Sequence, residues 1–235
     1  MPLDMKNKTG IFIVTYNAPT LLPLQVDRIV RHCKDDFELV IVDNSTDKDA
    51  AEAIHYHAIR LGCSYLRTQA GSKGGSESHA FACNVSYQRE GRKYAYVLYL
   101  DHDNFPVKDF SVVDMLGDNV IAGLGQNKSK TYMWPGLVML NNQHLDPIKV
   151  DFSCSREYML DTGGMLFTII EQFPDRAVFF DEAYCENPHF PTPPYNYYAM
   201  LAGGVFMHFV NGSNWNKQGN NDERVNSLIN ILSEK

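Results

Sequence analysis

The stretch AYVLYLDHDNFP, residues 95–106, carries the strongest structural signal in the chain. A run of apolar, strand-forming residues stops at Asp101, and a second carboxylate follows at Asp103 with His102 between them. The run predicts a buried strand over residues 95–100. Two carboxylates held close together repel each other unless a cation lies between them. Because Mg²⁺ and Mn²⁺ prefer oxygen ligands, the pair is a candidate metal site.

The residues before this stretch alternate between strand and helix patterns. GIFIVTY (10–16) and FELVIVD (37–43) are continuous apolar runs that predict buried strands, and SYLRT (64–68) predicts a shorter one. The segments between them carry apolar residues at helical spacing, and the third of these follows a glycine-rich loop. This βαβαβαβ order predicts an α/β fold, with a doubly wound, mostly parallel central sheet that has helices on both faces.

The second half of the chain has a less regular pattern. Its expected elements are a strand (136–142), a loop entering a helix (161–173), an irregular proline- and tyrosine-rich segment (187–198), a strand followed by a turn (203–215), and a C-terminal amphipathic helix (222–235). No internal repeat or flexible linker separates the halves, so a single domain over residues 1–235 is expected.

Composition and charge narrow the classes of protein. Hydrophobic residues make up 44% and charged residues 21% of the chain, as in ordinary globular proteins. The formal net charge of −7 argues against a nucleic-acid partner held by a basic face. The absence of a long apolar run or a signal-peptide core predicts no membrane span and a soluble, cytoplasmic protein. The five cysteines show no CxxC pair, so reduced structural thiols are expected.

Polar residues follow three of the predicted strands. In parallel sheets, ligands bind at the carboxyl ends of strands, so these residues should meet at one edge. They are Thr15, Tyr16 and Asn17 after the first strand, Asp43 and Asn44 after the second, and Asp101, His102 and Asp103 after the fourth. Each acid alone could instead cap the following turn or helix. Together, they predict a ligand site.

Four segments taken in order resemble the glycosyltransferases of the GT-A fold, and most closely the inverting enzymes of family 2. They are IFIVTYN, LVIVDNSTD, the glycine-rich loop with a helix containing AFACN, and VLYLDHDNF. The resemblance implies a metal-dependent transferase that uses Mn²⁺ or Mg²⁺ and a nucleotide-diphospho-sugar donor, in particular a UDP-sugar. The implied acceptor is a hydroxyl group of a glycan, glycoprotein or glycolipid. Residues 1–110 would form the nucleotide-binding half, and residues 111–235 the acceptor-binding half.

The resemblance also assigns roles to individual residues. It places Thr15, Tyr16, Asn17, Asp43, Asn44, Lys73, Gly74, Asp101 and His102 around the donor. Asp43 would hydrogen-bond the base. Asp103 would be the principal metal ligand, assisted by Asp101, and His208 late in the chain would complete the metal site. Lys73 could equally be a solvated loop lysine, and His208 a satisfied, partly buried histidine. His102 is expected to face away from its acidic neighbours.

The catalytic base and the acceptor site are matched less closely. The segment EYMLDTGGML (157–166) offers Asp161 as the base, with Glu157, Asp181 and Glu182 as alternatives, although Asp161 could simply cap a helix. Trp134 could stack on a sugar ring or belong to the core.

Two other functional classes remain open from sequence. A sugar-nucleotide nucleotidyltransferase shares this type of sheet, but residues 14–24 lack its basic, glycine-rich signature. A non-catalytic carbohydrate- or nucleotide-binding protein could have the same fold. A Rossmann dehydrogenase is disfavoured because no GxGxxG follows the first strand.

Overall fold

The computed structural model describes residues 8–69, 74–187, 197–210 and 221–233. The strands are β1 (Thr9–Thr15), β2 (Phe37–Asp43), β3 (Ser64–Arg67), β4 (Tyr96–Asp101), β5 (Asn104–Pro106), β6 (Ile121–Asn127), β7 (Thr131–Asn141), β8 (Ala177–Phe180), β9 (Glu182–Glu186), β10 (Tyr197–Leu201) and β11 (Phe206–His208). The α-helices are α1 (Leu21–His32), α2 (Lys48–Arg60), α3 (Gly75–Arg89), α4 (Val112–Leu116), α5 (Phe167–Gln172) and α6 (Asn221–Ser233).

The central sheet has seven strands in the order β3-β2-β1-β4-β7-β6-β8. Strands β1 to β4 are mutually parallel where they pair, as the βαβ alternation predicts. Strand β7 runs antiparallel to β4 and β6, because it follows β6 through a short turn rather than a helical crossover. The predicted α/β fold with a mostly parallel sheet is confirmed.

Helices cover both faces of this sheet, as expected. Alternate residues of β1 point to opposite faces, so Ile11 packs in one core with α1 and α2, while Phe12 packs in another with α3 and α5. Both side chains are fully buried. All five cysteines are free thiols. No helix in the described ranges combines the length and apolar character needed to cross a membrane.

A second, antiparallel sheet has the order β5-β11-β10-β9. Its register sets His208 opposite Asn104, directly after the Asp-His-Asp turn. This sheet corrects two expectations from sequence. Tyr197 and Tyr198 lie in β10 rather than in an irregular segment, because they pair with β9. The strand expected to begin at residue 203 is shorter and starts at Phe206, after a turn with left-handed glycines.

Candidate active site

A cavity of about 450 Å³ opens where β1, β2 and β4 end. This size is within the range of about 300–1,000 Å³ that is typical of small-molecule sites. The residues expected from sequence that line it are Tyr16, Asn44, Gly74, Asp101, His102, Trp134 and Asp161. Others that sequence reasoning did not identify are Thr46, Ser76, Ser78, His79, Gln126, Tyr132 and Thr162. The cavity therefore joins residues from both halves of the chain.

The turn after β4 is held from below by one glutamine. The fully buried Gln25 of α1 donates from Nε2 to the carbonyl oxygens of Asp101 (2.7 Å) and Asn104 (2.6 Å). The backbone N–H of His102 donates to the Val14 carbonyl at 3.1 Å. These hydrogen bonds hold the main chain of the turn in place, and they thereby set the positions from which the side chains of Asp101 and Asp103 extend.

Asp103 and His208 lie close together at this edge of the sheet and are more buried than the other facing acid–histidine pair there, Asp101 and His79. The Asp103 Oδ1 and His208 Nε2 atoms are 3.6 Å apart, and the side chains are 7% and 14% exposed. The His208 ring packs against the indole of Trp134, with ring centroids 4.8 Å apart. Sequence placed both residues in one metal site, and the pairing of β5 with β11 brings them together.

The third expected metal ligand, Asp101, makes a different contact. Its Oδ1 is 2.8 Å from Nε2 of His79 on α3, although neither buried atom makes an aligned hydrogen bond. Within the described residues, no group of three His, Cys, Asp or Glu side chains converges as a metal site would require. The Asp103 carboxylate is an oxygen donor of the kind that Mn²⁺ and Mg²⁺ take, and such ions usually complete their shell with water and substrate phosphates.

His79 and Asp101 shift each other's protonation. Burial would lower the pKa of His79, but the facing Asp101 carboxylate outweighs it, so the pKa lies well above its ordinary value. Burial would likewise raise the pKa of Asp101, but His79, and more weakly His102 and His208, lower it. A sequence signal for His79 existed: Cys83 and Ser86 follow it at helical spacing on the buried face of α3.

Asp43 lies beneath the cavity rather than on its wall. It is fully buried; its Oδ1 accepts from the Ser45 N–H at 2.9 Å, and its Oδ2 accepts from the Tyr65 hydroxyl at 2.7 Å and from Arg67. Arg67 also donates to the Ser45 carbonyl at 2.7 Å. Both carboxylate oxygens of Asp43 therefore accept hydrogen bonds from other groups of the protein. Asp43 thus shapes the loop that carries Asn44, whose side chain bonds Ser78 at the start of α3 at 2.8 Å.

Asn17 also acts on the cavity wall indirectly. It has a left-handed backbone (φ 51°), and its Oδ1 accepts from the N–H groups of Thr46 (3.1 Å) and Asp47 (3.0 Å). This ties the loop after β1 to the loop after β2. The Tyr16 hydroxyl lies 3.0 Å from Thr46 Oγ1 at the cavity rim, while Thr15 is fully buried below it. Lys73 and the turn expected at 211–214 lie outside the described residues.

Asp161 and Trp134, both from the second half of the chain, also line the cavity. Asp161 is exposed, and its Oδ1 accepts from the Thr162 N–H at 2.9 Å. Thr162 Oγ1 donates to the Ser76 carbonyl at 2.8 Å, which ties this loop directly to the first turn of α3. Gly136 leaves room for the indole of Trp134, because a Cβ there would lie 2.0 Å from the ring. The alternatives Glu157, Asp181 and Glu182 are not among the described lining residues.

Comparison with known proteins agrees with this architecture. Residues 10–116 match the sequence profile of glycosyl transferase family 2. No curated protein sequence matches the chain. A similar solved structure is the mannosyltransferase PcManGT from Pyrobaculum calidifontis in complex with GDP-Man and Mn²⁺. The two sequences are 14% identical, and the structures superpose with a TM-score of 0.55. The match covers 74% of this chain and 55% of that chain. The galactosyltransferase LgtC, in complex with donor and acceptor sugar analogues, matches at 14% identity over 77% of this chain and 74% of that chain, with a TM-score of 0.43.

The fold and the cavity define a GT-A architecture, the class of the nucleotide-diphospho-sugar transferases. Within that class, residues 10–116, somewhat less than half of the chain, are similar to glycosyl transferase family 2, which supports a glycosyltransferase. The chain spans about half the length of the mannosyltransferase, as 55% of that protein is covered.

Proposed function

We propose that this glycosyltransferase moves a sugar from a nucleotide-diphospho-sugar, in the first instance a UDP-sugar, to a hydroxyl group of a glycan, glycoprotein or glycolipid, with inversion. The observation that carries the proposal is the Asp103–His208 pair, which adjoins the cavity at the carboxyl ends of parallel strands through its neighbours His102 and Trp134. Asp103 lies on the turn between β4 and β5, and His208 lies at the end of β11, so a cation held by both would join two separate parts of the chain. Bound Mn²⁺ or Mg²⁺ would neutralise the donor diphosphate and stabilise its departure.

The donor would occupy the side of the cavity formed by β1, β2 and α3. Tyr16 and Asn44 line that side, where the nucleotide would lie, and Gly74 directly precedes α3 and also lines the cavity. A Cβ at Gly74 would meet no atom within 4 Å, so the donor can approach its main chain. Asp101 would contact the ribose or sugar, with His79 as a positioning residue that keeps it ionised and oriented.

The acceptor would enter from the side formed by the second half of the chain. Inverting transfer needs a carboxylate that takes the proton of the attacking hydroxyl, and the exposed Asp161 on the cavity wall suits that role. Trp134 presents a flat aromatic surface on the same wall, on which a sugar ring could stack. The donor and acceptor would then meet between Asp101 and Asp161.

Binding measurements test the proposal directly. UDP-, GDP- and dTDP-sugars should be titrated into the protein with and without Mn²⁺; GDP-mannose belongs in the panel because a similar structure was solved with it. We expect Mn²⁺ to tighten the binding of UDP-sugars and Asp103→Asn to remove that gain. The matched control is Asp175→Asn, at an exposed carboxylate away from the cavity.

Two results would count against the proposal. The metal assignment is wrong if Asp103→Asn binds donor and Mn²⁺ as the wild type does, or if EDTA leaves transfer undiminished. The glycosyltransferase assignment fails if none of the donors binds in either condition. A response to GDP- or dTDP-sugars alone would replace UDP as the donor nucleotide.

A further inference from the structure

A second cavity, of about 340 Å³, lies between α1 and α6. It shares no lining residue with the donor cavity. Most of its polar lining comes from α1, which also contributes Leu24, and most of its apolar lining comes from α6, which also contributes Ser233. The residues that matter are Asp27, Arg28, Arg31 and His32 on the polar wall, with Ile229 and Leu232 on the apolar one.

Arg28 is an unusual residue for such a wall because it is 7% exposed. Its Nε donates to the Pro106 carbonyl at 3.1 Å, and its Nη1 approaches the Leu232 carbonyl at 3.5 Å. Its buried Nη2 makes no hydrogen bond. Burial, and then the positive charge of Arg31, lower the pKa of Arg28. An unpaired buried donor on a charged group is costly, so a partner for Nη2 would stabilise the protein.

Two further basic side chains lie on the same face of α1. Arg31 and His32 follow Arg28 at three and four residues, which places them side by side on a helix. His32 Nδ1 is 3.1 Å from Asp109, while its buried Nε2 has no hydrogen-bond partner. Arg31 is 60% exposed and pairs with Asp27 at 3.3 Å. In a chain of net charge −7, this is a local concentration of basic side chains, of which Arg28 has a donor without a partner.

We propose that the cleft between α1 and α6 binds the phosphate or carboxylate group of a small organic anion. An oxyanion can accept from several N–H donors at once, and the arginine fork suits its geometry. The half-open apolar wall, where Ile229 is 41% exposed, would contact the carbon part of the ligand. This site is independent of the proposed sugar transfer, so either can fail without the other.

Calorimetric titration of the full chain with inorganic phosphate and with succinate, in EDTA and at low salt, tests the site. We expect saturable one-site binding of at least one of these probes. Arg31→Gln should weaken it about tenfold, because a charge-assisted hydrogen bond is lost. Asp27→Asn should strengthen it about threefold by removing the carboxylate that competes for Arg31. A folding defect would not produce that gain.

Two controls separate this cleft from other anion sites. Arg60→Gln removes an exposed arginine at the end of α2 and should not change binding. Asp103→Asn alters the donor site and should also leave anion affinity unchanged. The proposal is overturned if neither probe binds at millimolar concentration, or if Arg31→Gln and Asp27→Asn bind as the wild type does. Preference for phosphate or for succinate would identify which group the site takes.

Discussion

Replacing Gln25 with leucine should loosen the turn between Asp101 and Asn104 without altering any residue that lines the donor cavity. Gln25 is fully buried, and its Nε2 lies 2.7 Å from the Asp101 carbonyl and 2.6 Å from the Asn104 carbonyl. Leucine has a similar size but no donor. Both carbonyls would therefore lose this partner while the surrounding packing is largely kept.

The magnitude follows from these contacts. An unpaired buried polar group costs about 1–3 kcal/mol, so two carbonyls would cost about 2–6 kcal/mol. Gln25 Oε1 is itself buried without a partner, and its removal offsets about 1–3 kcal/mol. The net loss of unfolding free energy is expected near 2 kcal/mol, which corresponds to a fall in Tm of about 4–8 °C for a chain of this size.

Urea denaturation measures the stability, and electron paramagnetic resonance of free Mn²⁺ with added UDP measures metal affinity. We expect both to fall in Gln25→Leu, since Asp103 sits on the turn that is loosened. The matched control is Gln88→Leu, the same change at an exposed position of α3, which should stay within about 0.5 kcal/mol of the wild type. A Gln25→Leu protein with wild-type stability would refute the reasoning about the turn. Unchanged Mn²⁺ affinity despite lost stability would refute its link to the metal.

Three further predictions concern the cavity and its support. Gly136→Ala should displace the indole of Trp134 and raise the acceptor KM up to about tenfold in steady-state assays, and an unchanged KM would exclude sugar stacking there. Asp161→Asn should lower kcat by about 10²–10⁴ while donor Kd, measured by calorimetry, stays constant; a change in KM alone would exclude a base. Burial and the hydrogen bond to Asp43 raise the pKa of Tyr65 to about 12. The folded state thus keeps this proton longer than the unfolded chain, so the stabilisation is complete below about pH 10 and is lost as pH rises towards 12. The stability difference between wild type and Tyr65→Phe should shrink over that range, and a difference that does not change with pH would contradict the assignment.

The parts of the fold that could be predicted from sequence are those determined by residues close together along the chain. Apolar runs at 10–16, 37–43 and 95–100 predict strands that the structure confirms within a residue or two. The helix before β3 ends just ahead of Gly62, which has the left-handed conformation (φ 69°) that favours glycine, and a glycine directly after a helical pattern is a local signal for that end. Because parallel strands share one carboxyl edge, the sequence also predicts that Asp101 and Asn44 face a common cavity, as they do.

The sequence by itself determined the strands β1 to β4, their parallel arrangement and the edge where polar residues meet, since each depends on neighbours along the chain. Only the tertiary structure decided which polar groups contact each other. It paired Asp101 with His79, enclosed Asp43 between Tyr65 and Arg67, and set β7 antiparallel. These contacts depend on strand register and on the rotation of α3 against the sheet. A shift of one residue in register exchanges the two faces of a strand, and no local pattern in the sequence encodes which partner then lies opposite.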